Sequence, residues 1–189
     1  MASSSWQAAP LHWGSGASVF EVFIEPTCPF SVKAMGKLEA LLQAVGEDRM
    51  TLKLRVQSQP WHLHSAVVSR CVIAASTLPE GRDQAWAVLA AVGDHREEFV
   101  CEDHCSGPNR GASPDDIIQR IERYSGLELA AAFAIPDLDR ELKWHSKYAR
   151  QNGIHSSPTF MINGVVQPDL GSGDDVSVWA GALRAAVVR

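Results

Sequence analysis

Strand-forming residues cluster at the two ends of this 189-residue chain and are missing between positions 61 and 152, and no other feature limits the fold as much. Near the start, Val19 to Ile24 is a compact β-branched and aromatic run that reads as a buried strand. Pro26-Thr27-Cys28-Pro29 breaks it. From Phe30 the apolar residues Ala34, Met35, Leu38, Leu41, Leu42 and Val45 recur at helical spacing until Gly46 supplies a stop, which predicts one helix. Met50 to Val56 alternates apolar and polar, giving a second strand with one face inward. Near the end, Thr159 to Ile162 and Val165 to Gln167 flank Asn163-Gly164, a dipeptide suited to positive φ at both turn positions and so a strong hairpin signal. Val176, Trp179, Leu183 and Val187 space a final helix.

The middle reads as short helices. Leu63, Val67, Cys71 and Ala74 mark one, Ala85 to Val92 a second, and Leu138, Leu142, His145 and Ala149 a last one ending near Asn152-Gly153. Ser113-Pro114-Asp115-Asp116 is a helix start, with Ser as N-cap, Pro at the first position and an acid at the third. The chain is thus α/β, in the order βαβ, helical block, ββα. Its parts are an irregular leader at 1–18 with Trp6 and Trp13 available to dock, a core at 19–60 and 153–189, and a helical insertion at 61–152.

With 46% apolar and 21% charged residues the balance is globular. The net charge of -5 offers no footprint for a phosphate backbone, so no nucleic acid partner is expected. The first residues lack a basic and apolar signal pattern, and no uninterrupted apolar run exceeds the eight residues Ala85 to Val92, so neither secretion nor a membrane span is expected. Four cysteines, at 28, 71, 101 and 105, are too sparse for a small disulfide scaffold and favour a reducing, cytoplasmic setting. The phosphate-loop, dinucleotide and HExxH patterns are absent, so no bound cofactor is expected.

Cys28 stands where a strand hands over to a helix. The first N–H groups of a helix are unpartnered and its macrodipole is positive at that end, so a thiolate is favoured over a thiol there. Pro29 suits the first helical turn and stiffens it. Elsewhere, Cys71 reads as core filler on an apolar stripe. Cys101-Glu102-Asp103-His104-Cys105, with His95 upstream, leaves open a zinc cluster, a local disulfide or unpaired thiols, although structural zinc usually draws on a second cluster that is missing here.

The segments Phe23-Ile24-Glu25-Pro26-Thr27-Cys28-Pro29-Phe30-Ser31 and Ser156-Ser157-Pro158-Thr159-Phe160-Met161-Ile162-Asn163-Gly164 together resemble the two signatures of DsbA-like thioredoxin-fold proteins. The resemblance covers nearly the whole chain after the leader and implies a thioredoxin fold with an all-helical insertion between the second and third strands. It implies a thiol-disulfide oxidoreductase or protein disulfide isomerase, with catalytic Cys28 and Ser31. It also implies a substrate-binding surface of Pro29, Phe30, Ser157 and Pro158, and a cis Ser157–Pro158 bond. The family's common motif is CxxC, whereas position 31 here is Ser, whose hydroxyl can donate a hydrogen bond to a Cys28 thiolate. The family's buried acid, six residues before the cysteine, is replaced by Val22.

What the resemblance implies is a single-cysteine enzyme whose mixed disulfides an external thiol resolves. Disulfide-containing or glutathionylated proteins or peptides would be the substrates, glutathione a co-substrate, and nucleic acid and membrane no partners. His155, two residues before Ser157, and His64 are possible assistants near the thiol; His62 and His64, at the junction into the helical block, could face the Cys28 pocket or take surface or capping roles. Two other readings stay open: a kappa-type glutathione transferase or chromene-carboxylate isomerase, and a non-catalytic peptide-binding module of the same fold.

Overall fold

The computed structural model describes residues 6–187. Five strands, β1 (His12–Gly14), β2 (Ser18–Ile24), β3 (Met50–Val56), β4 (Thr159–Ile162) and β5 (Val165–Val166), form one mixed sheet in the order β1-β3-β2-β4-β5. β2 and β3 run parallel in the register Phe20↔Leu52, Val22↔Leu54 and Ile24↔Val56, while β4 lies antiparallel to β2. That register stacks the inward side chains of the two central strands, and all six are fully buried. β2 is apolar on both faces apart from Ser18 and Glu21, whereas β3 alternates its inward apolar residues with Thr51, Lys53 and Arg55. At the far edge, Asn163 and Gly164 take φ of 48° and 83°, the positive values that join β4 to β5 in a two-residue turn.

β1 corrects the expectation of an irregular leader, whose first five residues lie outside the described ones. The free edge of β3 presents unpaired backbone groups, and His12, Trp13 and Gly14 satisfy them by pairing with Lys53, Leu52 and Thr51. A three-residue strand carries too little alternation to be seen in the sequence. Both indoles dock: Trp6 Nε1 donates to the Pro136 carbonyl (3.1 Å), and Trp13 packs edge-on against Trp86.

The single helix expected between the first two long strands is two, α1 (Pro29–Met35) and α2 (Leu38–Val45). Gly36 holds the chain weakly in helix, and Lys37 Nζ is drawn away to the carbonyls of Ser172 and Asp174 at 2.8 and 2.6 Å. The break lets α1 aim its start at the sheet's end while α2 packs its apolar stripe on α8 (Val176–Val187). Trp179 of α8, fully buried, closes that side against Phe20 and Phe160.

The insertion contains α3 (Ser65–Ala75), α4 (Arg82–Asp94), α5 (Pro114–Ser125), α6 (Ala130–Phe133) and α7 (Asp139–Gln151), with single 3₁₀ turns at Arg96–Glu98 and Pro108–Gly111. Ser113 caps α5 as read: its hydroxyl accepts from the Asp116 N–H while the Asp116 carboxylate accepts from the Ser113 N–H. Leu63 lies ahead of α3 and is exposed, because α3 begins only at Ser65. α6 is too short to show periodicity; Arg70 secures its end by donating to the carbonyls of Phe133 and Ile135. α7 crosses the sheet beside β3, where Val56 donates its N–H to His145 Nδ1 (2.8 Å).

Candidate active site

The site forms where β2 ends. The Cys28 N–H bonds to the Glu25 carbonyl (3.1 Å), closing a turn over Pro26 and Thr27. Cys28 is then the N-cap of α1, with Pro29 as first helical residue. The Cys28 side chain does not cap the helix; its Sγ lies 3.5 Å from the Ser157 carbonyl oxygen, as donor. The Ser157–Pro158 bond is cis, and it immediately precedes β4. The antiparallel pairing of β4 with β2 brings these two distant segments to one end of the sheet. Gln57 Nε2 bonds to the Ser156 carbonyl (3.2 Å) and fixes the loop to the end of β3.

Pro29 and Phe30, the two residues after the buried Cys28, are exposed, Phe30 at 62%. Ser31 is fully buried, and its Oγ accepts from the Glu25 N–H (3.3 Å). Among the described residues it has no hydrogen bond to Cys28, contrary to expectation. The Glu25 N–H needs an acceptor beneath the turn, and the Cys28 thiol is turned the other way, toward Ser157.

Sequence reasoning missed Glu25. Val22 is buried and apolar as expected at the position six before the cysteine, but a fully buried carboxylate stands three residues before it. Glu25 accepts from the Thr27 N–H (3.1 Å), the Thr27 hydroxyl (2.9 Å), the Ser65 hydroxyl (2.7 Å) and His62 Nδ1 (2.6 Å). Burying a carboxylate is costly unless its oxygens find hydrogen-bond donors, and this one accepts from four. The available signal was an acid directly ahead of a proline at the end of an otherwise buried strand. A further tie comes from Arg96, whose Nε donates to the Thr27 carbonyl at 2.6 Å.

Of the histidines considered, His62 is brought to the turn. His64 is buried elsewhere, bonded through Nε2 to the Asn109 carbonyl (2.9 Å), because the start of α3 points it into the insertion. His155 is exposed and makes no hydrogen bond among the described residues. Cys71 is fully buried on α3, and burial pushes its thiol up to about 12, which keeps it protonated. Cys101 and Cys105 are unpaired, and no metal-binding set of three His, Cys, Asp or Glu occurs among the described residues. A cavity of about 510 Å³ between the segment at 8–12 and α7 does not include Cys28. A smaller hollow of about 200 Å³ is lined by His62 and Arg96, the two residues bonded to Thr27.

No protein-family model and no curated protein matches the chain. Among solved structures it is similar to a protein from Pseudomonas syringae named a "putative protein-disulfide isomerase", with 61% identity over 92% of this chain and 97% of that one and a TM-score of 0.91. A thioredoxin-like oxidoreductase from Silicibacter pomeroyi shares the fold at 19% identity (92% of this chain, 88% of that one, TM-score 0.68). So does Pseudomonas aeruginosa DsbA2 at 17% identity (97% and 98%, TM-score 0.65). The strand order, the helical block between β3 and β4, a cysteine at the start of the first helix and this close relative agree: the chain belongs to the DsbA-like thioredoxin-fold thiol-disulfide oxidoreductases.

Proposed function

We propose that this oxidoreductase works with one active-site cysteine. The observation that carries the reading is Ser31: it occupies the place one helical turn after Cys28, fully buried, with its hydroxyl engaged by the backbone of Glu25. A hydroxyl there has no redox chemistry. The Cys28 thiolate attacks a disulfide RS–SR′; a Cys28–S–S–R bond forms and R′S⁻ leaves with the electron pair of the broken bond. An external thiol, glutathione for a cytoplasmic protein, then attacks the R sulfur, forms a new disulfide with it and returns Cys28 as thiolate. Disulfide-containing or glutathionylated proteins and peptides are the substrates of this scheme. Exposed Pro29 and Phe30 and the loop of Ser157 and Pro158 are the surface on which an extended segment would rest. The four unpaired thiols support a reducing compartment.

Incubation with oxidised glutathione adds one glutathione, on Cys28, removable by dithiothreitol, and Cys28→Ser abolishes it. Ser31→Cys gains oxidase turnover on a reduced dithiol peptide. Catalytic oxidation of that peptide by the wild-type protein through Cys71, Cys101 or Cys105 would overturn the scheme.

A further inference from the structure

We infer that His62, oriented by Glu25, is the acid–base of the external-thiol step, and that the hollow it lines receives that thiol. The inference rests on the single-cysteine reading above and gives its second step a place.

His62 Nδ1 is 2.6 Å from Glu25 Oε2 and 2.9 Å from Thr27 Oγ1. Since Glu25 already accepts the Thr27 and Ser65 hydroxyls, the proton between ring and carboxylate belongs to Nδ1. That fixes the tautomer and leaves Nε2 as the ring nitrogen able to take a proton. The His62 side chain is 11% exposed, and it lines the 200 Å³ hollow together with Trp61, Arg96, Cys101, Asp103 and His104, whose ring stacks on it at 5.7 Å. The hollow adjoins the Cys28 turn through two bonds to one residue, His62 to the Thr27 hydroxyl and Arg96 to the Thr27 carbonyl. A carboxylate that holds an imidazole in one tautomer, in a side chain that lines a small cavity next to the turn carrying the nucleophile, is an arrangement suited to proton transfer.

The step balances as follows. R″SH enters the hollow and gives its proton to His62 Nε2. R″S⁻ attacks the R sulfur of Cys28–S–S–R, an R″S–SR bond forms, and the electron pair of the broken bond returns to Cys28. His62 passes its proton to water. Run backwards, His62 protonates the thiolate expelled when Cys28 first reacts. Glu25 acts through His62 and is a positioning residue.

The test is a single-turnover release assay. Wild-type protein carrying glutathione on Cys28 is mixed with excess 2-mercaptoethanol, or with the more acidic 2,2,2-trifluoroethanethiol, and loss of the adduct is followed by mass. In His62→Gln, whose amide still donates to Glu25 but takes no proton, release by 2-mercaptoethanol slows about tenfold or more. With trifluoroethanethiol, which needs less help to ionise, the defect shrinks below about threefold. Glu25→Gln shows the same pattern more weakly. Equal slowing with both thiols marks a merely structural pair and overturns the inference, as does no slowing. Iodoacetamide alkylation of Cys28 needs no external thiol; a change there as large as the change in release would mean that His62 acts on Cys28 itself, which also overturns it. If the wild-type protein forms no adduct at all, the single-cysteine reading fails first, a distinct result.

Discussion

Glu21 and Glu25 are both buried, one inside β2 and one just past its end, and they are neutralised in opposite ways. Glu21 meets Arg55, whose Nε and Nη2 lie 2.8 and 2.7 Å from Oε2, and accepts the Tyr148 hydroxyl at 3.0 Å. Arg55 is itself held over the rings of Trp144 and Tyr148, at 4.8 and 5.1 Å. Arginine does not give up its proton, so this charge pair is permanent. Glu25 has only hydroxyls, a backbone N–H and a histidine. Its nitrogen partner is an imidazole, a ring with a second nitrogen through which a proton can pass. A closed ion pair braces the middle of the strand, and a pair through which a proton can move sits where the chemistry is.

The largest effect comes from breaking the closed pair. Glu21→Gln leaves the Arg55 charge buried without its counter-ion and costs about 3–5 kcal/mol in urea unfolding, while the double replacement Glu21→Leu with Arg55→Met recovers most of that loss. Glu25→Gln keeps the shape and most hydrogen bonds of the open pair, and costs about 1–3 kcal/mol in the same measurement. A pH titration sharpens the contrast. His145, on the Arg55 side, is lowered to about 3, first by burial and then by the Arg55 charge, and as a neutral ring it accepts the Val56 N–H. The unfolded chain takes up this proton below about pH 6.5 while the native protein refuses it down to about 3. The stabilisation is therefore complete above pH 6.5 and falls as the solution is acidified, by at most about 1.4 kcal/mol for each pH unit in that window. His145→Gln flattens this slope in unfolding curves taken at several pH values. The smallest effect is a control remote from both carboxylates: Ser113→Ala removes the cap of α5 and costs about 1 kcal/mol, with the release rates of the Cys28 adduct unchanged.

The long strands were legible because their local pattern matches their burial: Val19 to Ile24 is a β-branched and aromatic run broken only by Glu21, and Met50 to Val56 alternates apolar with polar. The Asn163-Gly164 turn and the Ser113 cap were legible because their chemistry is local. β1 was not, since what makes it a strand is the exposed edge of β3, about forty residues onward. The break at Gly36 was hidden for a related reason: Lys37 is pulled aside by carbonyls that follow it by more than 130 positions. At the site, Cys28, Ser31 and Pro158 stand in contiguous motifs and could be named, whereas Glu25 takes its meaning from His62 and Ser65, which only folding brings to it. On sequence His155 looked better placed than His62 or His64, yet it is exposed and His62 is the ring at the turn. What separates His62 from His64 is a single fact of geometry: α3 starts after both, and the preceding turn directs them to different sides.

Arg96 lies deep in the insertion, yet its guanidinium grips the peptide carbonyl next to Cys28; Ser65 and His62, also from the insertion, grip the same bend from below. The helical block is therefore the mooring of the reactive bend. Cutting the chain back to its five strands and their two flanking helical segments would strip three of the anchors and leave the Glu25 carboxylate with Thr27 alone. A graft of the Glu25-to-Ser31 segment onto another scaffold would carry the sulfur across and leave its rigging behind.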